Sequence, residues 1–213
     1  MAVEVKVCGL TRSADAAQAV AGGADYLGVV FAGGPRVVSE AQAAAIVAAA
    51  DGRPVFGVFG RQPVDDILRL RDRTGLRGAQ LHGPYAADDA ASLRRAGLVV
   101  WRVVRLEAPP DLDALSEAET AADAVLVEPR VPHADGGTGV ALPLALGARA
   151  REQLRGRMVL AGGLRAETVA DAVGLVRPDA VDVSSGVEIQ PGIKDSHKLA
   201  RFLEAVRGLS PVA

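Results

Sequence analysis

Eight short apolar stretches recur along the chain, and each is followed by an Ala-rich stretch with the spacing of an amphipathic helix. Near-continuous apolar strands are typical of a parallel sheet that is covered on both faces. A strict strand-then-helix order, repeated eight times at about 25 residues per unit, predicts a closed (β/α)8 TIM barrel. An open doubly wound sheet is the alternative, but it needs no eighth unit. Residues 1–213 are therefore expected to form one α/β barrel domain, a short version with few insertions.

The predicted strands lie at residues 3–8, 26–31, 54–59, 78–83, 99–104, 124–128, 158–163 and 180–185. The predicted helices lie at residues 13–22, 39–50, 63–74, 86–96, 111–121, 141–154, 166–176 and 195–207. Ser13 and Ser39 are predicted to cap helices, because a serine hydroxyl accepts a hydrogen bond from an otherwise unpaired backbone N–H. Pro63 suits a first helical turn, where no N–H is needed.

The composition excludes several classes of function. Hydrophobic residues make up 49% of the chain, enough for a substantial core, and the net charge of -2 comes from well-mixed charges. No block of basic residues is present to bind nucleic acid or an anionic membrane. No apolar run approaches the ~20 residues of a membrane span. Cys8 is the only cysteine, so no intrachain disulfide is possible, and the first twenty residues are too charged for a signal peptide. Both features predict a cytoplasmic protein.

In a barrel of this kind the active site lies at the carboxyl ends of the strands, so the last strand residues become candidates. Cys8 fits a thiolate base or nucleophile, and fits equally well a small buried apolar residue. Arg36, on a Gly-Gly-Pro turn after the second strand, is suited to bidentate binding of a carboxylate. His82 is expected to have a positioning role. Asp182 should have a partner, because an unpaired charge inside the barrel is costly.

The sixth strand ends unusually, on Glu128 followed by Pro129, and proline biases the preceding residue towards extended geometry. Glycine-rich loops follow the next two strands, at residues 160–164 and 182–188. Paired glycines let backbone N–H groups approach a ligand, and the loops after strands seven and eight are the recurrent phosphate site of such barrels. No metal site is expected, because the histidines, His82, His133 and His197, are far apart in the chain and no His/Cys/Asp cluster has ligand spacing.

The motifs "VKVCGLT", "FAGGPRVVS", "QLHG", "GGTG", "LAGGL" and "VDVSSGVE" with "PGIKD" together resemble the phosphoribosylanthranilate isomerases of tryptophan biosynthesis. The resemblance runs from the first strand to the last helix. It implies an Amadori rearrangement of N-(5'-phosphoribosyl)anthranilate to 1-(2-carboxyphenylamino)-1-deoxyribulose 5-phosphate, an aldose-ketose isomerisation without cofactor or metal. It also implies a phosphorylated small-molecule substrate and a monomeric enzyme.

The resemblance assigns a role to each candidate. It makes Cys8 the general base, places the anthranilate carboxylate on Arg36, and puts Asp182 near the bridging amine or a sugar hydroxyl. His82 keeps its positioning role towards the substrate. The phosphate-binding residues that the resemblance implies are Gly162, Gly163, Ser184, Ser185 and Gly186.

Two departures from the family concern the general acid and the wall beside the substrate ring. The family's acid is an aspartate that ends strand six, whereas this chain has Glu128, whose extra methylene moves the oxygens by about ~1 Å. Asp135 is a second nearby carboxylate, less favoured because it lies on the loop. The family's aromatic residue and aspartate after "GGTG" are replaced by the apolar segment 140–146.

Three interpretations follow. The favoured one is a working isomerase that uses Cys8 as base and Glu128 as acid. The second is a paralogue that acts on a related phosphoribosyl amine, which would be expected to carry a second phosphate loop after strand three or four. The third is a weakened barrel that only binds phosphorylated ligands, which the joint presence of Cys8, Arg36 and both phosphate loops argues against.

Overall fold

A computed structural model describes residues 2–107, 112–131 and 139–209 of the chain. Eight parallel strands close into a barrel in the order of the sequence, so the predicted (β/α)8 barrel is confirmed. The strands are β1 Glu4–Val7, β2 Tyr26–Val30, β3 Val55–Phe59, β4 Gly78–Leu81, β5 Val99–Leu106, β6 Ala124–Pro129, β7 Met158–Ala161 and β8 Ala180–Val183. The helices are α1 Ser13–Gly22, α2 Glu40–Ala48, α3 Val64–Thr74, α4 Ala87–Arg95, α5 Leu112–Thr120, α6 Leu144–Gln153, α7 Val169–Val176 and α8 Ser196–Arg207.

The helix starts agree with the sequence only in part. Ser39 caps α2 as predicted, with its hydroxyl accepting from the backbone N–H of Gln42 in a complete capping box. The prediction for Ser13 is wrong: it is the first residue of α1, and Arg12 precedes it with no side-chain cap. Pro63 is the N-cap residue of α3, one position before the first turn in which it was expected.

A small addition follows the last barrel strand and was not predicted. A single 3-10 turn at Ser185–Val187 leads into a hairpin of two short strands, β9 Glu188–Gln190 and β10 Ile193–Lys194, which precede α8. The hairpin lies over the end of β1, since the hydroxyl of Thr11 donates to the backbone oxygen of Gly192. It thus brings two charged residues, Glu188 and Lys194, to the end of the barrel at which the strands finish.

Alternate strand residues face outward and inward, and each set forms its own apolar layer. The outward residues pack against the helices, whereas Phe56, Trp101, Leu126 and Val159 form a separate cluster inside the barrel. Tyr26 meets the Trp101 ring edge-on, at 5.2 Å between ring centroids. This inner cluster fills the barrel from the amino-terminal ends of the strands, so the polar inward residues are confined to the carboxyl ends.

Within the described parts of the chain, no helix combines the length and the apolar character needed to cross a membrane.

Candidate active site

The carboxyl ends of the strands surround a cavity of about 320 Å³. Its walls include all five predicted catalytic and substrate-binding residues, Cys8, Arg36, His82, Glu128 and Asp182. Glu128 and Asp182 lie on β6 and β8, Cys8 and His82 directly follow β1 and β4, and Arg36 lies on the loop after β2. Residues far apart in the sequence thus meet because the barrel closes. The inward-facing positions at the strand ends therefore form one polar site.

A lysine beneath the cavity is the partner expected for Asp182. Lys6 and Asp182 are direct neighbours in the β1–β8 ladder, and Lys6 Nζ lies 2.9 Å from Asp182 Oδ1. The same ammonium donates to Gln80 Oε1 at 2.8 Å. Lys6 is fully buried, yet its pKa is raised, because the negative charges of Asp182 and Cys8 outweigh the opposing effect of burial. Lys6 is thus a fixed cation at the base of the site.

Lys6 on β1 and Cys8 just after it are two residues apart and point to the same face, and Gly28 on β2 leaves room for both. A Cβ on Gly28 would lie only 2.8 Å from Cys8 Sγ and 3.1 Å from Lys6 Nζ. Burial raises the pKa of the Cys8 thiol, and the nearby Lys6 ammonium opposes that shift. The structure therefore places the candidate base beside a cation that favours its thiolate.

Glu128 ends β6 inside the site and is not a solvated surface charge, since it is only 8% exposed. Burial raises the pKa of its carboxyl, and Arg105 opposes the shift from β5, where it is the ladder partner of Glu128. Arg105 Nε donates to Glu128 Oε1 at 3.1 Å. A carboxyl with a raised pKa keeps its proton to a higher pH, which suits a general acid.

His82 lies between the acid and the buried lysine. Its Nε2 is 2.6 Å from Gln80 Nε2, and its Nδ1 is 3.6 Å from Glu128 Oε1. Burial, followed by the positive charges of Arg105 and Lys6, lowers the pKa of His82 to about 3. The imidazole is therefore neutral at physiological pH and cannot itself supply the proton for general acid catalysis.

Arg36 is held in place by the unpredicted hairpin. Its Nε and Nη2 donate to the two oxygens of Glu188, at 2.7 to 3.2 Å, and Lys194 Nζ binds Glu188 Oε1 at 2.8 Å. Burial acts to raise the pKa of Glu188, but Arg36 and Lys194 lower it below its ordinary value. Arg36 Nη1 has no hydrogen-bond partner among the described residues, so the Nη1–Nη2 end of the guanidinium can still bind a carboxylate.

Lys194 joins this charged group to the base. It is buried, and its ammonium donates to the backbone oxygen of Cys8 at 2.6 Å and to that of Ser184 at 3.3 Å. Burial lowers the pKa of Lys194, although Glu188 and Cys8 counteract that shift. One ammonium thus ties the end of β1 to the end of β8.

The predicted phosphate loops adjoin the main cavity. A second cavity shares Glu128, Asp182 and Ser184 with it and is lined by Gly162, Gly163, Ser185 and Gly186. Gly163 has a φ of +65°, and a Cβ there would lie 2.7 Å from the backbone of Ala141, so only glycine fits. The backbone N–H groups of Gly163, Ser185 and Gly186 find no acceptor within the described part of the chain. They are donors positioned for an anion.

The remaining predicted residues lie elsewhere. His133, Asp135 and most of the "GGTG" segment fall outside the described residues, so the structure does not test Asp135 as a second acid. His197 is exposed on α8. Among the described residues, no group of three or more His, Cys, Asp or Glu side chains is arranged to hold a metal ion.

Five polar residues of the site are absent from the sequence-based prediction: Lys6, Gln80, Arg105, Glu188 and Lys194. Three of them could have been recognised as candidate site residues from the sequence. Lys6, Gln80 and Arg105 interrupt otherwise apolar strands at inward-facing positions, where a polar side chain requires a partner. Glu188 and Lys194 lie in the motifs "VDVSSGVE" and "PGIKD", but their place in the site depends on the hairpin after β8, which was not predicted.

The chain matches the family model of N-(5'phosphoribosyl)anthranilate (PRA) isomerase over residues 5–205. It is 36% identical to the N-(5'-phosphoribosyl)anthranilate isomerase of Symbiobacterium thermophilum, over 97% of this chain and 99% of that protein. The crystal structure of phosphoribosyl anthranilate isomerase from Thermus thermophilus has a TM-score of 0.87 and 35% identity, over 98% of this chain and all of that one. A phosphoribosyl anthranilate isomerase in complex with reduced 1-(o-carboxyphenylamino)-1-deoxyribulose 5-phosphate has a TM-score of 0.84 and 31% identity, over 97% of this chain and all of that one. The barrel, its site and these likenesses agree: the chain belongs to the N-(5'-phosphoribosyl)anthranilate isomerase family.

Proposed function

We propose that this chain converts N-(5'-phosphoribosyl)anthranilate to 1-(2-carboxyphenylamino)-1-deoxyribulose 5-phosphate, with Glu128 as general acid and Cys8 as general base. One observation carries the proposal: a buried carboxyl on β6 and a buried thiol directly after β1 line the same cavity, which adjoins the glycine-rich anion site. Two separate proton-transfer groups suit the rearrangement, since the ring oxygen gains a proton and C2' loses one at different positions of the sugar.

In the first step Glu128 gives its proton to the ring oxygen of the ribose. The bond between that oxygen and C1' breaks, and the nitrogen lone pair forms a C1'=N bond, so the sugar opens to a protonated Schiff base. The Glu128 carboxylate that results is stabilised by Arg105 Nε at 3.1 Å. Arg105 thus has a double effect, because it makes the acid stronger and keeps it oriented.

In the second step the Cys8 thiolate removes the proton from C2'. The electrons of the C–H bond form a C1'=C2' bond, and the nitrogen recovers its lone pair, which gives an enolamine. This enolamine then takes a proton at C1' and loses one from the C2' hydroxyl to become the ketone. A proton next to a positively charged C=N bond is acidic enough for a thiolate, which the Lys6 ammonium favours.

The productive enzyme needs Glu128 protonated and Cys8 ionised at the same time. Burial raises the pKa of both groups, and the ordinary pKa of a thiol is about 4 units above that of a carboxyl. Near neutral pH most of the free enzyme therefore has Glu128 ionised and Cys8 protonated. The activity should then follow a bell-shaped pH profile whose acidic limb belongs to Glu128 and whose alkaline limb belongs to Cys8.

The remaining residues hold the substrate. The phosphate is expected on the N–H groups around Gly163 and Gly186 and on the hydroxyls of Ser184 and Ser185. The anthranilate carboxylate is expected on the Nη1–Nη2 end of Arg36. Asp182, fixed by Lys6, lies between the two and can accept from the bridging amine or a sugar hydroxyl, and His82 is a positioning residue. The phosphate and the carboxylate are remote from the reacting atoms, and binding both of them holds the sugar in position for proton transfer.

A related phosphoribosyl amine with an additional anionic group is a second candidate substrate. A cavity of about 770 Å³ beside His82 is lined by four arginines, Arg61, Arg102, Arg105 and Arg130, which follow or end β3, β5 and β6. Arg102 and Arg130 are partly neutralised by Glu117 and Glu107. This basic groove lies in the half of the barrel where a second phosphate site was expected, although it is not a glycine-rich loop.

A monomer and a cytoplasmic location remain predictions. The large apolar side chains that are exposed among the described residues, Val37, Val99, Val140, Leu175 and Ile189, lie on different elements. Their dispersal supports a monomer, because stable self-association usually uses a contiguous apolar patch. Analytical ultracentrifugation at micromolar concentration would test this directly.

The function is tested by adding purified enzyme to N-(5'-phosphoribosyl)anthranilate generated in place and following the loss of its fluorescence. We expect enzyme-dependent turnover that disappears in both Cys8→Ser and Glu128→Gln. No turnover above background at micromolar enzyme would refute the proposal. Turnover of a bis-phosphorylated amine with a higher kcat/KM would favour the second substrate, and retained activity in Glu128→Gln would show that the acid lies elsewhere.

A further inference from the structure

A continuous line of polar contacts runs from the buried lysine to the candidate acid. Lys6 Nζ lies 2.8 Å from Gln80 Oε1, and Gln80 Nε2 lies 2.6 Å from His82 Nε2. At the other end of the imidazole, His82 Nδ1 lies 3.6 Å from Glu128 Oε1. Lys6 and Gln80 are almost fully buried, so their contact depends on protein partners, and the His82 ring, whose side chain is 7% exposed, borders the cavity.

The chemistry of the lysine fixes the orientation of the Gln80 amide. An ammonium group only donates hydrogen bonds, so the Gln80 atom that faces Lys6 must be the carbonyl oxygen. The NH2 of the same amide therefore faces His82 and donates to it. His82 Nε2 must then be an acceptor and carries no hydrogen.

The charge state of His82 completes the assignment. The ring is enclosed next to two cations, and its pKa is lowered to about 3, so it holds a single hydrogen. That hydrogen is on Nδ1, the less common position for a free neutral histidine. Arg105 Nη2 is also only a donor, so both ring nitrogens face a donor, and the 2.6 Å contact of Gln80 with Nε2 is shorter than the 3.4 Å contact of Arg105 with Nδ1. The shorter contact decides the tautomer, and the Glu128 carboxyl, 3.6 Å from Nδ1, is then the nearby group that can accept from Nδ1–H.

We propose that Lys6, acting through Gln80, locks His82 in the Nδ1–H tautomer, and that this N–H is a directed donor to the Glu128 carboxyl. His82 and Gln80 are then positioning residues for the acid. The separation of 3.6 Å is longer than a hydrogen bond, and catalytic contacts of this kind tighten when the substrate fills the site. The inference about the acid rests on the proposed function, whereas the tautomer itself does not.

This arrangement links the two catalytic groups through one cation. The Lys6 ammonium lies beside the Cys8 thiol, where it favours the thiolate, and its second contact sets the donor that faces Glu128. An N–H directed at a carboxylate favours the charged form, so it lowers the carboxyl pKa. Lys6 thereby stabilises the Cys8 thiolate directly. Through Gln80 and His82 it also stabilises the Glu128 carboxylate that remains after the acid has given up its proton.

The tautomer is measured directly on the whole protein by nitrogen-15 NMR of the imidazoles, without any variant. Only three histidines are present, and His197, exposed on α8, is an internal reference for an unconstrained ring. At pH 8 we expect His82 to show a protonated Nδ1 and an unprotonated Nε2, unchanged down to pH 5. An Nε2–H pattern, or titration of His82 near pH 6, would overturn the proposal.

Gln80→Glu tests what sets the tautomer. The carboxylate would accept from Lys6 and from the imidazole, so the hydrogen of His82 should move to Nε2. A variant that keeps the Nδ1–H pattern would show that Gln80 does not control the ring. Because this readout needs no turnover, it separates a failed tautomer assignment from a failed assignment of the acid, which only the activity of Glu128→Gln reports.

Two substitutions of His82 test the positioning role. The amide nitrogen of Asn can replace Nδ1–H, whereas that of Gln replaces the Nε2 position. His82→Asn should keep most of the activity and the acidic limb of the kcat/KM profile. His82→Gln should lower kcat by about 10²-fold, the cost of a misplacement near 1 Å, and move that limb to higher pH. Equal losses in the two variants, with unchanged limbs, would contradict a directed donor.

Discussion

Arg105 and Glu128 face each other across the β5–β6 ladder, and Arg105 Nε donates to Glu128 Oε1 at 3.1 Å. The ladder fixes both backbones, so the length of the carboxylate side chain determines whether it reaches the guanidinium and the substrate together. This pairing suits a glutamate at the end of β6, where the resemblance implied an aspartate. The longer side chain is anchored at a position that its own strand and the neighbouring strand define.

Shortening the acid should therefore be costly even though the chemistry is retained. We expect Glu128→Asp to lower kcat by about 10²-fold, because its oxygens withdraw by about 1 Å from the reacting atom. Glu128→Gln should lose 10²- to 10⁴-fold, roughly the whole contribution of an acid-base group. Steady-state kinetics checks both, and an aspartate variant as active as the parent would show that the backbone does not hold the acid in place.

Removing the guanidinium should shift the pH dependence of the acid. Burial raises the pKa of Glu128 and Arg105 holds it down, so Arg105→Gln should raise this pKa further. The fraction of free enzyme with a protonated acid then persists to higher pH, and the acidic limb of kcat/KM moves upward. An acidic limb that moves downward or stays in place would exclude Glu128 as its source.

The lysine beside the thiol can be tested by chemical labelling, because Cys8 is the only cysteine. The rate of alkylation by iodoacetamide against pH reports the pKa of that thiol alone. Lys6→Met should move the curve to higher pH, since it removes a cation that favours the thiolate. Arg73→Met, at an exposed residue of α3 that pairs with Glu40, is the control and should leave the curve unchanged.

The Lys6 substitution has a stability cost that needs its own control. It leaves Asp182 buried without its ionic partner, which costs about 3–5 kcal/mol in typical proteins. The double variant Lys6→Met with Asp182→Asn removes both charges and should recover part of the lost stability. Because Asp182 raises the pKa of the Cys8 thiol and Lys6 lowers it, the alkylation curve of the double variant should lie at lower pH than that of Lys6→Met.

Glu188 should matter for substrate binding although it is not expected to contact the substrate. Its carboxylate binds both Arg36 and Lys194, so Glu188→Gln weakens two charge-assisted hydrogen bonds at once. We expect the KM to rise by about tenfold, the equivalent of one such bond of 1.5 kcal/mol, with a smaller effect on kcat. A loss confined to kcat would instead point to the backbone of Cys8, which Lys194 also holds.

The glycine-rich loop offers a matched pair of substitutions. Gly163→Ala forces a Cβ towards the backbone of Ala141 at a positive φ, so it should distort the loop and weaken inhibition by inorganic phosphate. Gly174→Ala lies in α7 with nothing within 4 Å of the added Cβ, and should leave phosphate binding unchanged while stabilising the helix slightly. Equal phosphate inhibition in both variants would place the phosphate elsewhere.

The fold could be predicted from the sequence because its signal is repeated eight times and does not depend on any single boundary. The strand-end candidates Cys8, Glu128 and Asp182 were predictable for a related reason: parallel strands end on one face of the barrel. Ser13 shows the limit of local signals, since a serine near a helix start caps only when it precedes the first helical residue. Glu188 shows a second limit of local sequence patterns. Its contact with Arg36 joins residues 152 positions apart, which no local pattern encodes.

The ion pair between Lys6 and Asp182 joins the first and the last strand of the barrel. Until β8 has docked, Lys6 has no carboxylate and Ser184 is not beside the end of β1. During refolding, activity should therefore return only with the last step of barrel closure, later than the helical signal. During synthesis, a ribosome-bound chain that stops short of β8 should be inactive however well its first seven units have formed. Catalysis in this protein thus reports that β8 has been made and has paired with β1.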